Sequence, residues 1–150
     1  SMTGWRLGYI IVPEMYEKKA KGIAGMAAPR PPTFLYAAGA AALNGDFKYV
    51  DERVKAYDER RKYFCPAVDA IDGLTCDLFE GSFYAWFDAK STGMGSQEFT
   101  DKLAKEENLM FSPGHTFGTG QDGMVRVPLC QPMPLLKEGV ARLERFMKNL

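Results

Sequence analysis

Leu74-Thr75-Cys76-Asp77-Leu78-Phe79, Glu80-Gly81-Ser82 and Phe83-Tyr84-Ala85-Trp86-Phe87-Asp88 form the stretch in which the chain changes period. Before Asp72-Gly73 the apolar residues recur at helical intervals, whereas here they alternate, and Glu80-Gly81-Ser82 divides the stretch into two expected strands. Downstream, Ser96 is expected to cap a helix running to about Glu107, with further strands at Leu109 to Phe111 and Met124 to Leu129. The closing helix carries Leu136, Val140, Leu143, Met147 and Leu150 as one stripe, with Glu138/Arg142 and Glu144/Lys148 pairs outside it.

Upstream, Phe47, Val50, Val54, Tyr57 and Phe64 keep helical spacing behind an Asp46 cap, and Asp51/Lys55 and Asp58/Lys62 line the wet side. Thr33 to Leu43 reads as an Ala-rich helix ended by Asn44-Gly45. Pro13 to Gly25 reads as another, stopped by Pro29-Arg30-Pro31-Pro32. Leu7 to Val12, closed by Pro13, reads as a buried strand. Helices first, then strands interleaved with helices, predict an α+β fold with helices covering one face of a mainly antiparallel sheet.

The 150 residues are 46% hydrophobic and 25% charged, which is the composition of a soluble globular domain. Nineteen basic residues balance nineteen acidic ones, so no net field recruits nucleic acid or an anionic membrane. The longest apolar run, Phe34 to Leu43, falls short of the roughly 20 residues of a membrane span, and no signal segment opens the chain, so a cytoplasmic location is expected. Cys65, Cys76 and Cys130 have no CxxC spacing and are expected to be buried thiols rather than a disulfide framework or zinc site.

Two arginines stand apart from the solvated charge. In Met124-Val125-Arg126-Val127-Pro128-Leu129, alternation puts Val125, Val127 and Leu129 on one face and Arg126 on the other. The pattern leaves two readings: an edge-strand arginine facing water, or a planar fork for an anionic ligand. Arg6, between Trp5 and Leu7, either holds a phosphate or pairs with an acidic neighbour. Gly118-Thr119-Gly120-Gln121-Asp122-Gly123 has the GxGxxG spacing but leads into a strand instead of a helix, so it reads as a turn. His115, the only histidine, has no partners from which to build a metal site or triad and reads as a loop residue.

Met2-Thr3-Gly4-Trp5-Arg6-Leu7-Gly8-Tyr9, followed by Val12-Pro13 and a helix, resembles the segment just after the cofactor-binding lysine of class I/II, fold-type I, pyridoxal-phosphate-dependent aminotransferases. Gly81 to Asp88, Ser112 to Gly118, Gly123 to Val127 and the closing helix follow in the family's order, so the resemblance spans essentially the whole chain. It implies that Arg6 binds the cofactor phosphate and that Arg126 clamps the substrate α-carboxylate. It further implies residues 1–45 as a remnant of the cofactor-binding large domain, containing a strand and helices, and residues 46–150 as the small C-terminal domain.

The Schiff-base lysine of the family precedes the first motif, as do the residues that hold the pyridine ring. No catalytic residue is therefore expected in this chain, which should bind pyridoxal 5'-phosphate stably only as part of a full-length parent and be inactive alone. The parent would transfer an amino group between an amino acid and a 2-oxo acid. Alternatives are a fragment of a fold-type I lyase, or a non-catalytic oligomerisation or regulatory module. An unpaired Leu7 to Val12 strand would invite self-association, so a homo-oligomer is expected. His115 stands where the family usually has a small residue, and Pro128 where it more often has Ser.

Overall fold

Alternation in Met124–Pro128 buries Val125 and Val127 and leaves Met124 and Arg126 on the other face, which makes this segment a strand with one core side. It is β3, the centre of a three-stranded sheet of order β1-β3-β2, with both pairings antiparallel. β1 (Tyr84–Asp88) matches Ala85 to Val127, Trp86 to Arg126 and Phe87 to Val125, while β2 (Ser112–Pro113) matches Ser112 to Arg126. The computed structural model describes residues 2–27 and 32–150. The fold is α+β.

The chain divides into two compact units, Ser1–Tyr49 and Val50–Leu150. In the second, three helices supply the apolar layer over the sheet. They are α3 (Lys48–Asp69), with Phe64, Cys65 and Val68 buried, α4 (Ser96–Glu107), with Phe99 and Leu103, and α5 (Met133–Lys148), with Leu136, Val140, Leu143 and Phe146. Phe99 sits edge-on to both Phe146, at 5.4 Å between centroids, and Phe87 of β1, at 6.1 Å, so one aromatic chain ties α5 through α4 to the sheet. The α5 stripe differs from expectation at its end. Phe146 is buried, Met147 only packs against the core and Leu150 is exposed, because a 3.6-residue period carries the stripe from Leu143 back to Phe146. The pairs Glu138/Arg142, Glu144/Lys148 and Asp58/Lys62 form as expected.

The first unit holds a 3-10 turn (Thr3–Trp5), α1 (Glu14–Ala27) and α2 (Thr33–Asn44). A Cβ at Gly39 would lie 2.6 Å from Leu7 Cδ2, so α2 carries glycine where Leu7 seats on it. Leu7 to Val12 is not a strand. No strand occurs among the described residues of this unit, and a strand requires a neighbour for its N–H and C=O groups. Tyr9, Ile10 and Ile11 are exposed there. Pro32 precedes α2, whereas the rest of the expected Pro29 to Pro32 stop lies outside the described residues. Gly45, after α2, is extended rather than left-handed.

Other expectations are corrected. Leu74 to Phe79 makes only a single bridge, Thr75 to Asp88, since Thr75 exchanges both backbone hydrogen bonds with Asp88 while the N–H groups of Leu74 and Cys76 turn instead to Ile71 O and Asp69 Oδ1. Leu109 to Phe111 precedes β2 rather than forming it, because β3 is met only by Ser112 and Pro113. Cys65 and Cys76 are buried, but Cys130 is exposed, lying just past the end of β3. No helix among the described residues is long and apolar enough to cross a membrane.

Candidate functional site

Because β3 is the central strand, Arg126 is not on a sheet edge. It rises from the face opposite the core, across from Trp86 on one side and Ser112 on the other. Its guanidinium carbon lies 4.2 Å from the Tyr84 ring centroid and 3.8 Å from that of Phe117. Phe117 in turn sits edge-on to Trp86 at 5.6 Å. The rings cover the guanidinium faces, an arrangement in which cation–π attraction contributes about 0.5–2 kcal/mol. The N–H groups of the fork are left without a protein partner among the described residues. Arg126 Nε is buried and has no hydrogen-bond partner, and among the described residues Arg126 makes no ion pair. A donor in that state is matched by a planar anion approaching along the fork.

Phe117 belongs to a 3-10 turn, Gly114–Phe117, inside the loop that joins β2 to β3. A Cβ on Gly114 would collide with the carbonyl oxygens of Gln121 and Met124, so the base of the turn is pressed onto the start of β3. Its other anchor is α4. Ser96, fully buried, donates its hydroxyl to Asp122 Oδ1 at 2.9 Å and lies 3.0 Å from His115 Nδ1 and 3.2 Å from the His115 backbone nitrogen. Asp122 Oδ1 also accepts the backbone N–H groups of Ser96, at 2.7 Å, and Gly123, at 3.0 Å. The Ser96 N–H and then its hydroxyl hold the Asp122 carboxyl below its ordinary pKa against desolvation, with lesser help from the Gly123 N–H and the nearby His115. Ser96 is therefore the first residue of α4, not its cap. Gly95 occupies the cap position, and Asp122, 26 residues away, does the capping.

Arg6 lies in the first unit, exposed and left-handed at φ 55°, with Nη1 donating to Thr3 O at 3.2 Å. Among the described residues it makes no ion pair, so the acidic partner allowed by its sequence is not found. Gly118, Gly120 and Gly123 all have positive φ and lead into β3, which makes the glycine motif a turn. Among the described residues no group of His, Cys, Asp and Glu side chains is arranged to hold a metal. His115 is a loop residue, as expected, but one tied to Ser96. Tyr84, Phe117, Ser96 and Asp122 were missed as site residues, since nothing in their spacing announces contacts made across the sheet.

The family model described as aminotransferase class I and II matches residues 1–143. Aromatic-amino-acid aminotransferase 2 of Thermococcus litoralis is 32% identical over 151 residues, covering 99% of this chain and 39% of the relative. An aspartate aminotransferase of Pyrococcus abyssi is 33% identical with the same coverage. Among solved structures, the aromatic aminotransferase from Pyrococcus horikoshii OT3 superposes with a TM-score of 0.85 at 34% identity, over 99% of this chain and 40% of that one. Cystalysin from Treponema denticola, whose structure contains a pyridoxal 5'-phosphate cofactor, shares the fold with a TM-score of 0.78 at 21% identity. The chain thus spans about 39% of the length of the curated relatives it matches.

Proposed function

The chain belongs to the class I and II aminotransferase family, and from that premise we propose that it is the C-terminal part of a pyridoxal-phosphate-dependent enzyme that moves an amino group between an amino acid and a 2-oxo acid. The observation that carries this reading is the Arg126 fork, with its faces covered by Tyr84 and Phe117 and its buried Nε unpaired. In the proposed role Arg126 receives the substrate carboxylate through two parallel N–H donors. A carboxylate so gripped fixes one end of the substrate and limits the directions in which its Cα–H bond can point, an orientation effect of the kind that contributes several kcal/mol. The two rings keep water from the guanidinium faces and so strengthen the remaining contact.

Arg6 is the residue of this chain that fits the cofactor. Among the described residues its exposed fork is engaged by protein only at Nη1, through its own turn, which suits a phosphate. When bound, pyridoxal phosphate supplies the electron sink for charge that develops at the substrate Cα. These 150 residues are inferred to hold no lysine in the cofactor-carrying position and to be inactive alone. Incubation with pyridoxal phosphate, borohydride reduction and peptide mapping should label no single lysine stoichiometrically, and such labelling would overturn the inference. The reading also places the chain in a homo-oligomer.

The test is a pair of variants in a protein of the relatives' full length. Arg126→Lys keeps the charge but loses the planar fork, and should impair the reaction with amino acid far more than cofactor retention. Arg6→Ala should do the reverse, weakening cofactor retention by about 1.5–3 kcal/mol, the usual range for a hydrogen bond to a charged group. Equal effects of both changes on both quantities would refute the assignments.

A further inference from the structure

Building on the reading of Arg126 as an anion holder, we propose that Ser96 and Asp122 are positioning residues for it, a latch at the start of α4 that fixes the Gly114–Phe117 turn so that Phe117 lies against the guanidinium. The hydrogen-bond inventory of Ser96 supports this. A serine hydroxyl has one proton and two lone pairs. The proton goes to Asp122 Oδ1, because two acceptors would otherwise face each other at 2.9 Å. Both lone pairs are then used by His115, one by its backbone N–H at 3.2 Å and the other by Nδ1 at 3.0 Å, so Nδ1 must carry a proton.

Every bonding position of this fully buried hydroxyl is thus spent joining α4 to the turn and to Asp122, two residues before β3. With Gly114 pressed onto the start of β3, the turn is held at both its first and its second residue. Phe117 is the last residue of the same short turn, and its ring stands 3.8 Å from the Arg126 guanidinium carbon. Freeing the latch therefore frees the ring. The energetic role follows from preorganisation: a guanidinium held against two rings loses less freedom when an anion docks on its edge.

Ring stacking has a direct signature, since an Arg Nε proton close to aromatic faces resonates upfield of the ordinary arginine range. With the whole chain labelled with nitrogen-15, Ser96→Ala and Asp122→Ala, which removes the Oδ1 acceptor, should each move the Arg126 Nε proton most of the way to its position in Phe117→Leu, while the core methyls of Val127 and Leu143 stay in place. Asp122 is exposed, so Asp122→Ala leaves the buried core untouched and carries the test if Ser96→Ala does not fold. Gln97→Ala removes a hydrogen bond to Asp101 within the first turns of α4 without touching the latch, and should leave the proton where it is.

Titration with acetate, followed at the same proton, examines the anion reading separately. Acetate should bind the wild-type chain, and the latch variants should weaken it roughly two- to fivefold, the equivalent of an exposed cation–π contact. Failure of acetate to perturb the wild-type proton would sink the anion reading while leaving the ring-shift result to judge the latch. The latch is overturned if the proton keeps its wild-type position in both latch variants, if it is indifferent to Phe117→Leu, or if Gln97→Ala displaces it as far as Asp122→Ala does.

Discussion

α5 and α1 are helices of similar length with apolar residues at helical spacing, yet they end in opposite states. α5 buries Leu136, Val140, Leu143 and Phe146, whereas α1 buries nothing and leaves Met15, Ile23 and Met26 in the open. The same contrast holds for the units that contain them. In Val50–Leu150 every buried apolar side chain joins one core, while in Ser1–Tyr49 the buried apolar set among the described residues is Leu35 alone. An apolar stripe stabilises a helix only through the surface it meets, because most helical stability in proteins comes from packing rather than propensity. The second unit supplies that surface from its own sheet. Within the first unit, α1 has no such surface.

The largest effect that would test this contrast is a cavity. Phe146→Ala, at a residue 1% exposed and edge-on to Phe99, should cost about 3–5 kcal/mol, read from the denaturant midpoint. Ile11→Ser, at a residue 87% exposed, should stay within about 0.5 kcal/mol. A comparable loss at Ile11 would show that the first unit is covered in solution and would break the comparison. Next in size is association. The whole chain should sediment as a dimer or larger species across a wide concentration range, whereas a chain starting near Asp46 should not. A strictly monomeric whole chain would contradict the view that the exposed apolar residues of the first unit seek a partner.

A smaller effect separates the latch from the core. The folded-state pKa of Asp122 is lowered, so its contribution to stability is complete above the unfolded value of about 3.9 and disappears as pH falls through the folded value. Asp122→Asn should accordingly be less stable than wild type at neutral pH, with the two unfolding curves converging in acid. A constant difference across that range would mean that the carboxylate's charge plays no part. The smallest effect expected is at the surface. Lys148→Ala removes an exposed i,i+4 pair with Glu144 and should cost only about 0.3–0.5 kcal/mol, fading as salt is added.

Much of the second unit was legible along the chain. Alternation at Tyr84 to Asp88 and Met124 to Pro128 reflects one buried sheet face, and the α5 stripe reflects one buried helix face, so period translated directly into burial. Leu7 to Val12 misled because an apolar run states only that burial is wanted, not that a neighbouring strand is present to receive it. Ser96 misled for a related reason. A serine before a helical pattern is the ordinary mark of a cap, but Asp122 arrives from the far loop and moves Ser96 one position into the helix.

Sequence by itself determined the helices, the two longer strands, the face of β3 from which Arg126 rises and the family resemblance of the motifs around Arg6 and Arg126, all of which depend on neighbours a few residues apart. Tertiary structure alone decided that β3 is central, that Tyr84 and Phe117 enclose the Arg126 guanidinium, and that Ser96, His115 and Asp122 close into one hydrogen-bonded cluster. Those contacts join residues from 9 to 42 positions apart in the chain, as the numbers of Phe117 and Tyr84 against Arg126 show (126 − 117 and 126 − 84). Local periodicity carries no information at such separations, and only the shared burial of sheet and helices brings them together.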